Sequence, residues 1–402
     1  MMVDCDFPGG NIIVERVEGT DVYLRQDIRD TEGWWFYWNF RARGMNERPM
    51  TFHFTDGDVI GTRGPAVSAD GGVTWRWLGR ECVAATPDGV CFTVTPGQDV
   101  PVSSGLRFAF AIPYQQAHLN AFLSRHAGNR PCRHGRPCRH GPHLRADVLC
   151  TTRKGRAVEV VRLGCLEGEP QHRVLLTSRH HACESLATYS LEGIMEEVLA
   201  ESEAGRWLRA HVEFFIVPFM DKDGVEDGDQ GKNRRPHDHN RDYGPRGGGD
   251  ADESLYASTR ALRRLIPTWA AGKLRVALDL HCPWIRGEHN EVIYFVGGPD
   301  QENWARVTDF SRLLEATQTG TLAYRAADNL PFGVGWNTSE NTVQGRSFGG
   351  WAAALPGIWI GASLEIPYAN ARNATVTAET ARAFGRDVGR ALAGWLGEPV
   401  TR

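Results

Sequence analysis

Residue types able to do chemistry gather in three short stretches. In Arg179-His180-His181-Ala182-Cys183-Glu184, His181 and Glu184 stand three residues apart, after an apolar run and before a helical pattern. At a strand-to-helix turn, that spacing lets both side chains converge on one point. Imidazole nitrogen and carboxylate oxygen are ligands of catalytic zinc, which takes three protein ligands and keeps one position open. A lone His-x-x-Glu also arises by chance, as a helix-start glutamate beside an incidental histidine. His180 is a rival ligand, although its spacing of four from Glu184 suits an established helix better than a turn.

The third ligand must come from another element. Val276-Ala277-Leu278-Asp279-Leu280-His281 closes an apolar run with a histidine, and open α/β sheets collect their sites at the carboxyl edge of the strands. A separate run, Trp359 to Leu364, closes with Glu365. Burying a carboxylate at a strand end is costly unless it is paired or has work to do, and a general base acting on a metal-activated water is such work. These residues are candidates for one zinc site, with His181, Glu184 and His281 as ligands, His180 as the rival and Glu365 as the base, although His281 taken alone also suits a structural histidine.

Those side chains need elements to carry them. Residues 9 to about 114 show short aromatic and β-branched stretches, including Trp34 to Phe40, Phe52 to Phe54, Val73 to Trp77 and Cys91 to Val94. Turn signals at Asp56-Gly57, Asp70-Gly71-Gly72 and Pro87-Asp88-Gly89 separate them, predicting an all-β sandwich. After about residue 145 the pattern alternates between strands and amphipathic helices, the mark of an α/β domain with a largely parallel or mixed sheet. Strands are expected at Val174–Thr177, Phe214–Val217, Leu274–Leu280, Glu291–Val296 and Trp359–Leu364. Helices are expected from about Ser185 and from about Thr377. Domains 1–115 and 116–402 follow, with 125–145 as an inserted loop.

Taken in order, the motifs resemble the zinc carboxypeptidase family with its carboxypeptidase A-like α/β domain. They are Arg179-x-His181-x-x-Glu184, then Val217-Pro218-Phe219-Met220-Asp221-Lys222-Asp223-Gly224, then Asn240-Arg241, Asp279-Leu280-His281 and Leu364-Glu365. The Trp-rich stretch and the Phe108-to-Tyr114 segment resemble the cytosolic carboxypeptidase subgroup. The resemblance implies that Asn240 and Arg241 grip the terminal carboxylate of a peptide, which makes an exopeptidase, and that Arg234 stabilises the oxyanion. It also places Arg346 on the segment lining the specificity pocket, where a cation suits a C-terminal glutamate. One departure is that no tyrosine lies between Tyr324 and Tyr368, where many members carry a mobile one. Two other readings share these residues: an N-acyl amino acid deacylase on the same scaffold, and a non-catalytic peptide-binding relative.

Composition bounds the rest. The 402 residues exceed what one core usually organises, and 45 basic against 49 acidic side chains leave no nucleic-acid footprint. No apolar run is long enough to span a membrane and no leader pattern opens the chain, so a soluble, cytoplasmic protein with reduced thiols is expected. Cys132, His134, Cys138 and His140 have zinc-ligand chemistry, but Pro, Gly and Arg dominate their surroundings, so an exposed loop is the preferred reading. Asp221 to Asp229 partly resembles a calcium loop but has Lys232 where the twelfth-position glutamate belongs.

Overall fold

Ten short strands come first, placed here from a computed structural model that describes residues 1–101, 105–126, 140–244 and 254–397. They are β1 (Met2–Asp4), β2 (Ile13–Glu18), β3 (Asp21–Arg25), β4 (Asn39–Arg43), β5 (Met50–Phe54), β6 (Ala66–Ser68), β7 (Arg76–Trp77), β8 (Val83–Thr86), β9 (Gly89–Val94) and β10 (Gly105–Ala109). They form two five-stranded sheets, ordered β1-β4-β10-β6-β7 and β2-β3-β5-β9-β8. Alternation in β5 turns Met50, Phe52 and Phe54 inward. Between the sheets, Phe52 meets Phe40 at 5.2 Å and Phe108 at 5.3 Å. Such rings supply large apolar areas to a small domain.

Two predicted strands are shorter than expected, because side chains take their backbone groups. Trp34 to Trp38 lies outside any strand: Gln26 Nε2 donates to the Trp35 carbonyl (2.9 Å), and the Tyr37 N–H donates to Gln230 Oε1 (2.6 Å). In Val73 to Trp77, the Asp70 carboxylate accepts from the N–H groups of Val73 (3.1 Å) and Thr74 (2.9 Å), leaving only Arg76–Trp77 to pair.

The second part is a mixed α/β layer structure. Its helices are α1 (Gln116–His126), α2 (Ser185–Leu199), α3 (Glu203–His211), α4 (Lys222–Asp227), α5 (Ala257–Ala270), α6 (Gln301–Thr317), α7 (Phe348–Ala352) and α8 (Ala378–Gly397). Its strands are β11 (His140–Gly141), β12 (Leu144–Thr151), β13 (Ala157–Gly164), β14 (His172–Ser178), β15 (Val212–Val217), β16 (Leu274–His281), β17 (Tyr294–Val296) and β18 (Ile360–Glu365). They align as β11-β12-β13-β15-β14-β16-β18-β17, parallel through β15, β14, β16 and β18 and antiparallel towards both edges. The strand expected from Glu291 pairs only from Tyr294.

Strand alternation decides what each face carries. Val276, Leu278 and Leu280 of β16 join the large core that includes Leu186, Ile194, Phe384 and Leu392 of α2 and α8. Ala277, Asp279 and His281 point the other way. At the α2–α8 crossing the backbones touch: a Cβ on Gly193 would lie 2.1 Å from the Arg382 carbonyl oxygen, so only glycine fits. Thr377 starts α8 as expected, accepting from the Thr380 N–H at 3.2 Å.

The β region and the α/β layer share one apolar core through Phe36, Phe110 and Tyr368, with Phe110 and Tyr368 4.9 Å apart. Among the described residues, no helix is long and apolar enough to cross a membrane. Cys132, His134 and Cys138 lie outside the described residues, as does the side chain of His140.

Candidate active site

Three parallel strands deliver the site. Registry pairs Thr177 of β14 with Asp279 of β16, and His281 of β16 with Glu365 of β18. Cross-strand partners share a face, so the ends of β16 and β18 bring the histidine and the acid side by side. After β14 the chain turns through Arg179, at φ 61, whose buried guanidinium donates to the carbonyl oxygens of Tyr114 (2.8 Å) and Ala182 (2.9 Å). That anchor shapes the 179–184 loop and aims His181 inward. Glu184 occupies the N-cap position of α2 yet makes no side-chain cap bond, leaving its carboxylate for other partners.

Those partners are the two histidines. His181 Nδ1 lies 2.9 Å from Glu184 Oε1 and His281 Nδ1 lies 2.7 Å from Glu184 Oε2, all three residues being buried. The outer nitrogens face carboxylates as well: His181 Nε2 is 3.2 Å from Asp238, and His281 Nε2 contacts Asp279. A carboxylate at Nε2 keeps the proton there and leaves the Nδ1 lone pair free to ligate. Ligand atoms of His181, Glu184 and His281 all lie within 4.8 Å of one another. Two imidazoles and one carboxylate, each fixed by a supporting bond, fit zinc with an open fourth position.

A second grouping, His180, Asp279 and His281, is also close enough for a metal. Its donors are already used. His180 Nδ1 bonds Asp279 at 2.8 Å and its Nε2 bonds the Tyr243 hydroxyl at 2.8 Å, while Asp279 also accepts from the Thr177 hydroxyl at 2.8 Å. His180 is therefore part of the brace behind His281.

Charge follows this geometry. Burial alone would raise the Glu184 carboxyl, but Lys232, His181 and His281 hold it well below its ordinary range. Glu365 moves the opposite way: burial raises it, the Glu184 charge adds to the rise, and His281 and Lys232 oppose it. Glu365 is 6% exposed and its Oε2 has no hydrogen-bond partner among the described residues. An unpaired buried carboxylate oxygen facing a metal-ligand set is placed as a proton acceptor should be.

The other expected residues divide. Asn240 is buried with Nδ2 3.1 Å from His281 Nε2, and its Oδ1 accepts from the Phe348 N–H at 2.9 Å. Arg241 follows directly, held through Nε to the Asn341 carbonyl at 2.6 Å. Arg346 lines a cavity of about 440 Å³ with Val296, Ser347, Gly349, Ala362 and Ser363. Ser363 lies two residues before Glu365 on the same strand face. Arg234 sits among carboxylates. Its guanidinium bonds Asp221, and Asp229 at 2.8 Å, with Asp30 at 3.6 Å, and it lines a different cavity from the one that Arg346 lines.

Three residues escaped the sequence reading. Asp238 and Asp279 brace the histidines, and Asp279 was legible, since residues two apart on a strand share a face with His281. Lys232 had no signal of its own: its Nζ lies 3.0 Å from Glu184 Oε1. The acidic Asp221–Asp229 segment is the N-cap and body of α4, with Asp223 and Asp227 paired to Arg156.

Comparison with known proteins agrees with the motif resemblance. Residues 140–261 match the family model for zinc carboxypeptidase. Over 272 residues, 60% of this chain, the sequence is 22% identical to cytosolic carboxypeptidase 6 of Caenorhabditis elegans. The chain spans about half the length of the first curated relatives it matches. The fold is that of a metallo-carboxypeptidase from Burkholderia cenocepacia, with a TM-score of 0.74 at 20% identity, covering 98% of each chain. A metallo-carboxypeptidase from Pseudomonas aeruginosa, solved with (2-guanidinoethylmercapto)succinic acid, aligns at 0.74 and 17% identity over 99% of each chain.

Proposed function

We propose that this chain is a zinc metallocarboxypeptidase that hydrolyses the C-terminal peptide bond of peptides or proteins, favouring acidic C-termini. The observation that carries the reading is the convergence of His181, Glu184 and His281, each Nδ1 directed at the Glu184 carboxylate, with the unpaired Glu365 oxygen beside them. Zinc held by those three residues supplies Lewis acidity and lowers the pKa of a water.

The chain's own residues supply the remainder. Glu365 takes the proton of the attacking water and returns it to the leaving amine as the C–N bond breaks. Asn240 and Arg241 hold the terminal carboxylate, the guanidinium being suited to two parallel hydrogen bonds. The 440 Å³ cavity beside Ser363 receives the terminal side chain, and Arg346 is its cation. Arg346 pairs with no carboxylate among the described residues, which supports a preference for a terminal glutamate.

A mixed peptide library digested by the purified protein and read by mass tests this. Loss of single C-terminal residues is expected, abolished in Glu365→Gln with zinc retained. Cleavage of acyl amino acids alone would replace the peptidase reading with the deacylase one. Undiminished turnover in Glu365→Gln would show that another group is the base.

A further inference from the structure

The hydrolysis proposed above needs one more group. When the water oxygen attacks the scissile carbonyl carbon, the C=O π pair moves onto oxygen, and a negative charge develops that was absent in the substrate. A fixed cation aimed at that charge is worth more than any ground-state contact, because it acts only as the charge appears. The resemblance points to Arg234, yet Arg234 is surrounded by Asp221, Asp229 and Asp30, and its terminal nitrogens are already bonded.

Two residues earlier stands Lys232. Its Nζ lies 3.0 Å from Glu184 Oε1, its side chain is a quarter exposed, and it acts electrostatically on Glu365 and Asp238 as well. It is therefore a cation in direct contact with a member of the metal-ligand set.

The loop carrying Lys232 is held by the N-terminal β region. The Asp30 carboxylate accepts from the N–H groups of Gln230 (3.0 Å) and Gly231 (2.9 Å), Thr31 Oγ1 bonds the Lys232 carbonyl, and the Glu32 N–H donates to the Asn233 carbonyl (3.1 Å). Four consecutive residues of the loop are thus tied to three consecutive residues of the β region. A flexible ammonium gains catalytic value only if its stem is fixed, because its rotamer entropy otherwise opposes each bond it makes.

We propose that Lys232, fixed by the Asp30–Glu32 turn of the β region, is the catalytic cation that stabilises the oxyanion, the role the family pattern gives to Arg234. This rests on the carboxypeptidase reading. In Lys232→Met, kcat at saturating zinc should fall about 10²- to 10³-fold, the range for loss of one oxyanion donor. The inhibition constant of a phosphinic peptide, which carries the anionic tetrahedral group, should rise by a similar factor. Affinity for the released amino acid and for zinc should stay within a few fold, and Lys232→Arg should recover part of the loss. Asp30→Asn should lower kcat in the unaltered chain but add little in the Lys232→Met background.

Three results would overturn the proposal. The first is a Lys232→Met protein with unchanged kcat and unchanged phosphinate affinity. The second is weakened zinc binding with full kcat restored at saturating zinc, which would make Lys232 a support for Glu184 only. The third is fully additive losses for Asp30→Asn and Lys232→Met, which would remove the β-region anchor. A parent protein that trims no peptide and binds no phosphinate would overturn the carboxypeptidase reading and this role with it.

Discussion

Replacing Asp279 by asparagine tests how the site selects its metal-binding nitrogens. Asp279 is fully buried and accepts from His281 Nε2, His180 Nδ1 (2.8 Å) and Thr177 Oγ1 (2.8 Å). Burial would raise its carboxyl, but the two imidazoles overcome that and keep it ionised. Asparagine matches the shape but has one acceptor oxygen. With that oxygen kept by Thr177 and His180, the new NH₂ faces the His281 Nε2–H, donor against donor. The conflict is relieved by moving the imidazole proton to Nδ1, the atom that must ligate. Loss of such a supporting carboxylate costs about 10- to 100-fold in metal affinity, or roughly 1.4–2.7 kcal/mol. Competition against a chromogenic chelator measures the zinc dissociation constant directly. Asp238→Asn should act in the same direction on His181, near the lower end of the range, because that contact is longer at 3.2 Å. A folded Asp279→Asn protein that binds zinc within twofold of the parent would refute the tautomer reasoning.

Two further outcomes are expected. Arg346→Ala should reduce kcat/KM for peptides ending in glutamate by about tenfold or more relative to those ending in leucine, as loss of a charged hydrogen-bond partner predicts; an unchanged ratio would remove Arg346 from selectivity. Asp229 should make stability fall with rising pH. Burial and the Asp30 charge push its carboxyl up to about 7, against the Arg234 charge that lowers it. Between the ordinary carboxyl range and 7 the native state therefore holds a proton that the unfolded chain has lost, so stability declines across that window by up to roughly 4 kcal/mol. Denaturant midpoints at pH 5 and pH 8 should differ less in Asp229→Asn than in the parent, and equal differences would contradict this.

Much of the site was legible because its residues close apolar strands. A histidine ending Val276 to Leu280 and a glutamate ending Trp359 to Leu364 have few places to go except the carboxyl edge of the sheet, and registry sets them side by side. The His181–Glu184 spacing marked its turn for the same local reason. The cation was not legible, because Lys232 and Arg234 are two residues apart in a loop whose path depends on Asp30 and Thr31, about two hundred positions away in sequence. No local propensity chooses between them. The Trp-rich stretch misled for a related reason: its aromatic content suits a strand, but Gln26 and Gln230 take the backbone groups a neighbouring strand would need. The Gln230 contact also ties the β region to the loop that carries Lys232.

An anomalous difference map at the zinc absorption edge, from a crystal of the purified protein, tests the central claim most directly. The expected result is one peak contacting His181 Nδ1, His281 Nδ1 and the Glu184 carboxylate, with the Glu365 side chain beside it. A map without such a peak, or with the ion held instead by His180 and Asp279, would contradict it.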